Sequence, residues 1–544
     1  MSAVKLMLKG FLFRYATPSL LALGLALPLP GPANAEGALG DLGFRQAIAT
    51  VAAADPEIAG FYRSRDYRPL WVGEGDLARR RALVAAFAEA RSHGLPADRH
   101  DPERQRALFA SVATLRDLGR VEVETTRAFL SYARDIQSGI LEPRTVDPGL
   151  VMEVPRRDRG ETLAAFAAAD DPAAFLRALA PQTAEYAALL REKEGLEALI
   201  ERGGWGAPVA SAAALKPGME GAAVLALRDR LIRMGYLPMR ASARYDAALQ
   251  RAVQRFQANQ GLTPDGIAGR ETLDRIDTPA TERLKQVIVA LERLRWLNKP
   301  LGQRHIMVNQ AAFQMKIVED GATIFESDVI VGMENEKWRT PEFSKNMDHM
   351  IVNPTWHVPS SIVARDYLPK LLANPEAASY MRFYDASGRQ VSRSSIDFSQ
   401  FSASNFPYSL KQPPSDDNAL GLVKFMLPNR WNIYLHDTPS KHLFSKDKRA
   451  FSSGCVRVQR PFELAYELLS KQTSDPRGTF HRALDSGRET RIDIVDPVPV
   501  HLTYRTAFAD ARGRVHYRED TYGRDGRIFA ALAAAGVTVP GAES

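Results

Sequence analysis

The spacing of apolar residues changes along the chain. Between residues 36 and 210 they recur every three or four positions, and segments 79–90 and 121–136 are predicted to form amphipathic helices. After residue 300, short runs of β-branched and apolar residues such as 325–332 alternate with turn residues, which is typical of strands. The sequence therefore predicts a multidomain α+β protein in which a helical domain precedes a mainly-β domain over residues 300–525.

A compact unit over residues 215–277 follows a joint at 203–214 that is rich in Gly, Ala, Pro and Ser. Its apolar residues fall on helical faces, and the turn Gly261-Leu-Thr-Pro-Asp-Gly266 separates the last two of them. We predict three short helices around one core. The residues expected to face that core are Val224, Leu227, Leu231, Leu249, Val253 and Phe256.

Three further segments complete the division of the chain. Residues 281–298 are predicted to form a helix that connects the module to the β-rich half. Residues 360–420 interrupt the strands with a helix-like part and a polar part rich in Ser, Asp and Pro. A long insertion of this kind is either a lid or disordered, and we favour a lid over the substrate. Residues 526–544 are assigned to a C-terminal tail.

Length and composition narrow the class of protein. A chain of 544 residues exceeds what a single core supports, so two to four domains are expected. Its 45% hydrophobic and 25% charged residues are typical of a soluble protein. The net charge of +7 comes without any basic run interleaved with aromatic residues, so no nucleic-acid surface is predicted.

Residues 1–35 have the features of a secretory signal. Lys5, Lys9 and Arg14 form a positive end, an apolar core follows at 20–29, and Ala33-Asn34-Ala35 is a small-residue cleavage site. The apolar core is too short to span a bilayer comfortably. We therefore expect a periplasmic protein that has no membrane span after cleavage, and the alternative is a signal that stays uncleaved as an anchor.

Cys455 is the only cysteine of the chain, and His436 lies nineteen positions before it at the end of an apolar run. An exported protein with one cysteine cannot use it for an internal disulfide. A histidine that meets such a thiol can accept its proton or hold it as a thiolate–imidazolium pair. Cys455 is thus the candidate nucleophile and His436 the candidate base, whereas the alternative is a small buried apolar side chain.

The neighbours of these two residues suggest supporting roles. Gly454 allows close approach of the backbone, and the amide N–H of Cys455 is a natural oxyanion donor. Ser453 is expected to hydrogen-bond nearby main chain. Asp437 follows His436 directly, and adjacent side chains on a strand point apart, so a backbone carbonyl is expected to orient the ring. His357 is a rival base, although its Trp and Pro neighbours indicate a wall or a turn.

The pattern of His436, fifteen residues and then Ser-Ser-Gly-Cys resembles the active-site signature of the L,D-transpeptidases, which have the YkuD fold. Ser453 stands where the family often has a second histidine, and Arg457 stands where it has asparagine. With these two departures, the motif resembles that of the large multidomain periplasmic branch of the family. Segment 353–359 resembles the same branch.

The resemblance extends over nearly all of the chain after the signal. Segments 61–71 and 129–139 resemble the helical scaffold domain of the large members, which assigns residues 36–210 to that domain. Residues 215–277 strongly resemble the three-helix peptidoglycan-binding module. In the large members, a segment corresponding to 360–420 caps the active site.

The resemblance implies an acyltransferase of peptidoglycan synthesis. Cys455 would attack the third residue of a tetrapeptide stem, expel D-Ala and pass the thioester to a diaminopimelate amine, which gives a 3→3 cross-link. It also implies inhibition by carbapenems and no need for a metal or other cofactor. Peptidoglycan, through its stem peptides and glycan strands, is the expected partner. The candidate substrate contacts are Arg457, Trp356, Tyr434 and Asp437.

Other chemistries fit the sequence less well. The Ser-x-x-Lys, Ser-x-Asn and Lys-Thr-Gly motifs of D,D-transpeptidases do not occur as an ordered set, and no zinc-ligand pattern is present. A non-catalytic scaffold that binds peptidoglycan through residues 215–277 is the alternative from another class. Water as acceptor would instead give an L,D-carboxypeptidase, and a protein amine would give a protein–peptidoglycan ligase.

Overall fold

The computed structural model describes residues 38–541, which form two compact units. Residues 38–77 and 103–126 belong to one unit, and residues 78–102 and 127–541 belong to the other. The expected signal segment lies outside the described residues. The predicted fold class is confirmed, since helices occupy the first half of the chain and strands begin at Arg304. None of the helices in the described part is long and apolar enough to cross a membrane.

Residues 38–210 fold into helices, several of which begin at a capping residue. Proline follows the capping residue Asp55 at the start of the second helix and Asp171 at the start of the eighth, and Thr183 caps the ninth. The helices of this region are α1 (Ala38–Ala52), α2 (Pro56–Ser64), α3 (Leu77–Ala88), α4 (Pro102–Ala110), α5 (Leu115–Ser138), α6 (Pro143–Val146), α7 (Arg159–Ala167), α8 (Pro172–Leu179) and α9 (Ala184–Glu201).

A buried carboxylate organises the smaller unit. Glu122 of α5 accepts hydrogen bonds from the amides of Leu70, Trp71 and Val72 and from the hydroxyl of Tyr62. Its burial raises the pKa of Glu122 to about 7, although the four donors oppose that shift. The loop at 70–72 is thus fixed to the middle of α5 through its main chain.

The module expected at 215–277 consists of three helices around one apolar core. All six residues predicted for that core are buried. The Gly261–Gly266 turn bonds to the following domain, since the Thr263 hydroxyl donates to Asp447 at 2.7 Å and the neighbouring Asn259 side chain donates to the Val515 carbonyl at 2.8 Å. The helices of the module and its connector are α10 (Ala222–Arg233), α11 (Ala247–Gln260), α12 (Arg270–Asp277) and α13 (Ala280–Trp296).

Nine strands form the main sheet of the β-rich half, in the order β11-β3-β12-β10-β9-β4-β13-β1-β2. Because β2 also pairs with β3, this sheet closes on itself. Its strands are β1 (Arg304–Asn309), β2 (Gln314–Glu319), β3 (Ala322–Gly332), β4 (Phe343–Val352), β9 (Val423–Met426), β10 (Leu435–His436), β11 (Ala450–Ser452), β12 (Val456–Val458) and β13 (Thr490–Thr503). Helices α16 (Pro461–Leu469) and α17 (Pro476–Asp485) contribute to its apolar core.

The insertion expected at 360–420 is an ordered subdomain with its own core. Its four-stranded sheet has the order β5-β8-β6-β7, and a π-helical turn at Val363–Tyr367 joins its two short helices. Its elements are β5 (Trp356–His357), α14 (Ser360–Ile362), α15 (Leu368–Ala373), β6 (Arg382–Tyr384), β7 (Gln390–Val391) and β8 (Ser409–Gln412). The core includes Trp356, Val363, Leu371, Phe383 and Leu410.

The end of the chain differs from the sequence-based expectation of a tail. After β14 (Ala507–Ala509) and β15 (Val515–Tyr517), helix α18 spans Arg524–Ala534 and buries Ile528 and Leu532. The apolar spacing of this segment is helical, so the assignment to a tail was wrong for the part up to residue 534. Strand β13 has a register shift against β4 between Asp493 and Val498.

Candidate active site

The candidate side chains lie on one face of three neighbouring strands. On β10 and β12, Leu435 pairs with Val456 in the apolar core, and His436 pairs with Arg457 one position further along. Lys424 of β9 is the partner of His436 on the other side. Since successive side chains on a strand alternate between faces, His436, Arg457 and Lys424 share the face opposite the core.

The thiol of Cys455 lies just before β12, beside the main chain of residues 432–434. Its Sγ is 3.5 Å from the carbonyl oxygen of Asn432, and the amide and phenol of Tyr434 are within hydrogen-bonding reach. Removal from water raises the pKa of the Cys455 thiol to about 11, although Tyr434, Arg457 and Lys424 all act to lower it. The resting nucleophile is therefore a neutral thiol whose surroundings are arranged to stabilise the thiolate.

His436 is buried and held by a main-chain carbonyl. The ring Nδ1 lies 2.5 Å from the carbonyl oxygen of Asp437, so this nitrogen carries the proton and donates it. Burial lowers the pKa of His436 to about 3, and the charge of Arg457 acts in the same direction. Among the described residues no hydrogen bond joins His436 to Cys455, so both groups rest in their neutral forms.

Two cations face the same site. The guanidinium of Arg457 is largely buried, and its Nε has no hydrogen-bond partner. Burial lowers the pKa of Lys424, whose Nζ lies 6.0 Å from the ring centroid of Tyr434. A buried donor without a partner is costly, which favours a ligand with an acceptor group, such as a carboxylate, at Arg457.

The turn that carries Cys455 is held in place by its contacts at Gly454. Gly454 has a φ of +119°, a region that L side chains rarely adopt, and an added Cβ would come within 3.2 Å of Ile433. Its carbonyl accepts a 2.7 Å hydrogen bond from the hydroxyl of buried Thr340, and its amide donates to Ser452. The amide of Cys455 itself has no acceptor within the described residues, so it is available as an oxyanion donor.

The insertion reaches this turn through one side chain. Arg365, in the π-helical turn, donates to the hydroxyl of Ser453 at 3.0 Å and lies 4.2 Å above the ring of Trp338. Ser453 was expected to bond main chain, and it bonds Arg365 instead. The contact places the insertion two residues from the thiol.

Two residues expected to contact substrate, Trp356 and Asp437, instead contact other parts of the fold. Trp356 is buried in the core of the insertion, 6.1 Å from the ring of Tyr367. The carboxylate of Asp437 accepts hydrogen bonds from the Leu422 and Thr438 amides and from Lys441. These contacts stabilise the fold around the site, and neither side chain joins the group around Cys455.

Sequence reasoning missed Lys424, Arg365, Trp338 and Thr340. Lys424 carries a readable signal, because it alternates with Val423 and Phe425 and therefore had to leave the core. The other three come from distant segments, and their approach to Cys455 depends on tertiary structure. Among the described residues, no group of three or more His, Cys, Asp or Glu side chains is placed to hold a metal ion.

The raised pKa of Cys455 predicts how its alkylation depends on pH. Because only the thiolate reacts, the rate with iodoacetamide should rise about tenfold per pH unit from pH 7 to 10 and level off only near 11. An ordinary thiol levels off above a pKa of about 8.5. Mass spectrometry of the single cysteine measures this directly. A plateau reached at pH 6–7 would show a thiolate–imidazolium pair and would contradict the neutral resting state.

Three family profiles match separate parts of the chain. They are the "Scaffold domain" over residues 56–192, the "Putative peptidoglycan binding domain" over residues 220–276, and the L,D-transpeptidase catalytic domain (YkuD) over residues 303–485. The three matches follow one another in the order that the resemblance implies. They place the cysteine turn and both candidate histidines inside the catalytic-domain match.

Two curated proteins are similar to parts of the chain. A "Putative L,D-transpeptidase" of Haemophilus influenzae is 36% identical over 225 residues, which is 41% of this chain and 45% of that protein. "General secretion pathway protein A" of Aeromonas hydrophila is 43% identical over 61 residues, which is 11% of each chain. The chain therefore matches less than half the length of either relative.

Two crystal structures of L,D-transpeptidases also align with the chain. The one from Xylanimonas cellulosilytica (residues 123–326) is 17% identical, covers 54% of this chain and 98% of its own, and has a TM-score of 0.16. The one from Stackebrandtia nassauensis is 14% identical, covers 55% and 97%, and has a TM-score of 0.21. Superpositions with such scores add nothing to the fold described above.

Proposed function

Residues 303–485 belong to the L,D-transpeptidase catalytic domain family, and on that premise we propose that the protein forms 3→3 cross-links in peptidoglycan through a thioester on Cys455. The observation that supports this most is the shared sheet face. It brings the only thiol, a neutral imidazole and two cations together, beside a turn that leaves the Cys455 amide free. Those are the parts that acyl transfer to a thiol requires.

In the first half-reaction Cys455 attacks the carbonyl carbon between the third stem residue and D-Ala. A bond from Sγ to that carbon forms, and His436 accepts the thiol proton. The bond from carbon to the D-Ala nitrogen then breaks, and His436 returns the proton to the leaving amine. A neutral imidazole whose Nδ1 donates to Asp437 leaves Nε2 as the only possible base, so the ring must turn or shift from its resting contacts to reach the thiol.

The Cys455 amide would stabilise the oxyanion during this attack. One such donor contributes about 3 kcal/mol to transition-state stabilisation. Gly454 is held by Thr340 and Ser452, and the Cys455 amide that follows it has no acceptor among the described residues. The phenol of Tyr434 stabilises the sulfur as negative charge develops on it.

The cations would select an anionic stem peptide. The terminal D-Ala and diaminopimelate both carry carboxylates, and the unpartnered Nε of Arg457 and the half-buried Lys424 offer donors for them. In the second half-reaction, the side-chain amine of an acceptor stem attacks the thioester carbon. The carbon–sulfur bond breaks, and the amine proton passes through His436 to restore the thiol.

We place this reaction in the periplasm, with residues 215–277 bound to the same polymer. Support comes from the peptidoglycan-binding match over 220–276 and from the bonds that attach this module to the catalytic domain at Asp447 and Val515. The module would hold glycan strands near the catalytic turn. Water or a protein amine could replace the stem acceptor, and the products of the reaction distinguish the three.

The decisive experiment incubates the full chain with a disaccharide-tetrapeptide and, separately, with a carbapenem. Intact-protein mass spectrometry should show an adduct that maps to Cys455 in both cases, and the tetrapeptide should yield 3→3 dimers. Tripeptide without dimers would identify an L,D-carboxypeptidase. A folded protein that gives neither adduct nor product would be a peptidoglycan-binding scaffold, and the proposal would be wrong.

The insertion is proposed to act as a lid that Arg365 closes. Arg365→Ala removes the hydrogen bond to Ser453 and the contact with Trp338 and should raise KM for the tetrapeptide about tenfold, with a smaller effect on kcat. Arg389→Ala is the matched control, because Arg389 is exposed in the same insertion and its side chain pairs with Asp385 and Ser387, four and two residues before it. Equal KM values for the two variants would contradict the proposal that Arg365 closes the lid.

A further inference from the structure

A cleft in the helical region has an unusual lining. Its volume is about 420 Å³, and its walls are the second half of α5 and the segment from Arg156 to the start of α7. Both walls belong to the same compact unit as the catalytic domain. Five arginines line it, and we refer to it as the arginine cleft. They are Arg127, Arg134, Arg156, Arg157 and Arg159.

The charge of the arginine cleft is not balanced by its own lining. No aspartate or glutamate is among the residues that line it. Arg156 pairs with Glu142 at 3.0 Å, whereas Arg134 and Arg157 have no ion pair or hydrogen bond to any described residue. Asp158 lies between two of the arginines, but its carboxylate caps α7 by accepting from the Glu161 amide. Two of the five guanidinium groups, those of Arg134 and Arg157, are therefore without a carboxylate partner among the described residues.

The walls are fixed before any ligand arrives. The Ser138 hydroxyl on α5 donates to the Pro155 carbonyl of the opposite wall at 2.6 Å. The Asn298 side chain donates to the Gln137 carbonyl at 3.0 Å and so ties the end of α5 to the segment that precedes β1. Buried Leu130, Ala133 and Thr162 form part of the lining. These hydrogen bonds hold the backbone segments that carry the arginines in place around the cleft.

The guanidinium groups of Arg134 and Arg157 gain a charged partner when an anion binds in the cleft. A cleft with walls of one charge concentrates its field and attracts ligands of the opposite charge. Guanidinium also matches the planar, two-oxygen geometry of carboxylates better than an ammonium does. The volume lies in the range of about 300–1,000 Å³ that is usual for small-ligand sites.

We propose that the arginine cleft is a second binding site for peptidoglycan, which takes the carboxylates of stem peptides away from the catalytic turn. This identification of the anion rests on the proposed function, while the cleft's affinity for carboxylates does not. A membrane surface presents anionic phosphates with similar chemistry, but a protein that binds it usually inserts apolar side chains. The large apolar side chains that are exposed in the described part of the chain all lie outside the cleft.

The test measures binding of a fluorescent stem tetrapeptide without sugars to the full chain, with Cys455 alkylated to prevent turnover. The double variant Arg134→Gln/Arg157→Gln should raise the Kd about tenfold and weaken the dependence of binding on salt. The control is Arg91→Gln/Arg202→Gln, which makes the same charge change at exposed arginines outside the cleft. A tetrapeptide whose carboxylates are amidated should bind weakly to the double variant and to the control.

The Kd values and the choice of ligand decide whether the arginine cleft binds stem peptides. Equal Kd values for the variant and the control would overturn the proposal, as would tetrapeptide affinity that persists after amidation. Preferential binding to phosphatidylglycerol vesicles, lost in the double variant, would make the cleft a lipid site instead. Adduct formation with a carbapenem before alkylation reports the catalytic proposal separately, and it should be the same in the double variant and the wild type.

Discussion

Replacement of Cys455 by alanine or serine is expected to abolish acylation by both the tetrapeptide and a carbapenem. The described residues offer no second thiol, and a serine hydroxyl in this setting has a far higher pKa than the thiol, which His436 with its lowered pKa cannot offset. The loss in kcat/KM should be at least about a thousandfold. Intact-protein mass spectrometry and dimer formation measure it.

Two further variants separate the nucleophile from its surroundings. His436→Gln should reduce acylation by about 10²–10⁴-fold, the usual contribution of a general base, and should change the pH profile. Ser453→Ala should remain within about tenfold of wild type, because the contact of Ser453 with Arg365 concerns the insertion and not the thiol. Substantial acylation of the Cys455→Ser protein would refute a thioester route.

The second large effect concerns stability. Glu342→Gln should lower the free energy of unfolding by about 3–5 kcal/mol, because it removes the carboxylate that hydrogen-bonds two buried guanidinium groups and leaves them only the more distant Asp525 and Asp147. The carboxylate accepts two hydrogen bonds from Arg293, at 3.0 and 2.8 Å, one from Arg524 at 3.0 Å, and one from the Tyr504 amide. Only 1% of the Glu342 side chain is exposed, compared with 3% for Arg293 and 1% for Arg524.

Glu336→Gln provides the matched control. Glu336 lies 3.8 Å from Arg339, with 82% of its side chain exposed, and an exposed pair of this kind contributes at most about 1 kcal/mol. Urea unfolding followed by near-ultraviolet circular dichroism compares the two proteins under the same conditions. Equal midpoints for the two variants would show that the buried network is already compensated elsewhere and would contradict the expectation.

This network also reaches the catalytic turn. Arg524 donates to the Thr340 carbonyl at 3.1 Å, and the Thr340 hydroxyl donates to the Gly454 carbonyl. The hydroxyl of Tyr522 donates to the Gly332 carbonyl at 2.6 Å, and the Gly332 amide donates to Thr340. A variant of the network that still folds should therefore affect the position of Cys455 as well as stability.

The sequence predicted those features that depend on local pattern. The apolar face of α10 with Leu227 and Leu231 and the strand run at 325–332 are visible in short windows, because burial follows the period of the element. Cys455 and His436 stood out because a lone cysteine after Ser-Ser-Gly, in a chain whose first residues resemble a secretory signal, has few other uses.

The features that sequence could not predict depend on which segments meet. Trp356 was expected to contact substrate, but it lies in the core of the insertion, and apolar character alone does not distinguish the two positions. Glu342, Arg293 and Arg524 are charged, so their positions look solvent-exposed in a sequence. Their burial requires partners that lie 49 and 182 positions away from Glu342.

Strand β13 lies beyond the segment 303–485 that matches the L,D-transpeptidase catalytic domain, yet it occupies the middle of the sheet between β4 and β1. It pairs with β1 in parallel and with β4 in antiparallel orientation. A shortened protein that ended at residue 485 would leave both neighbours with open backbone donors and acceptors, which is a template for strand addition between molecules. Recombinant production of the catalytic part alone therefore has to extend past residue 503, or the product will aggregate.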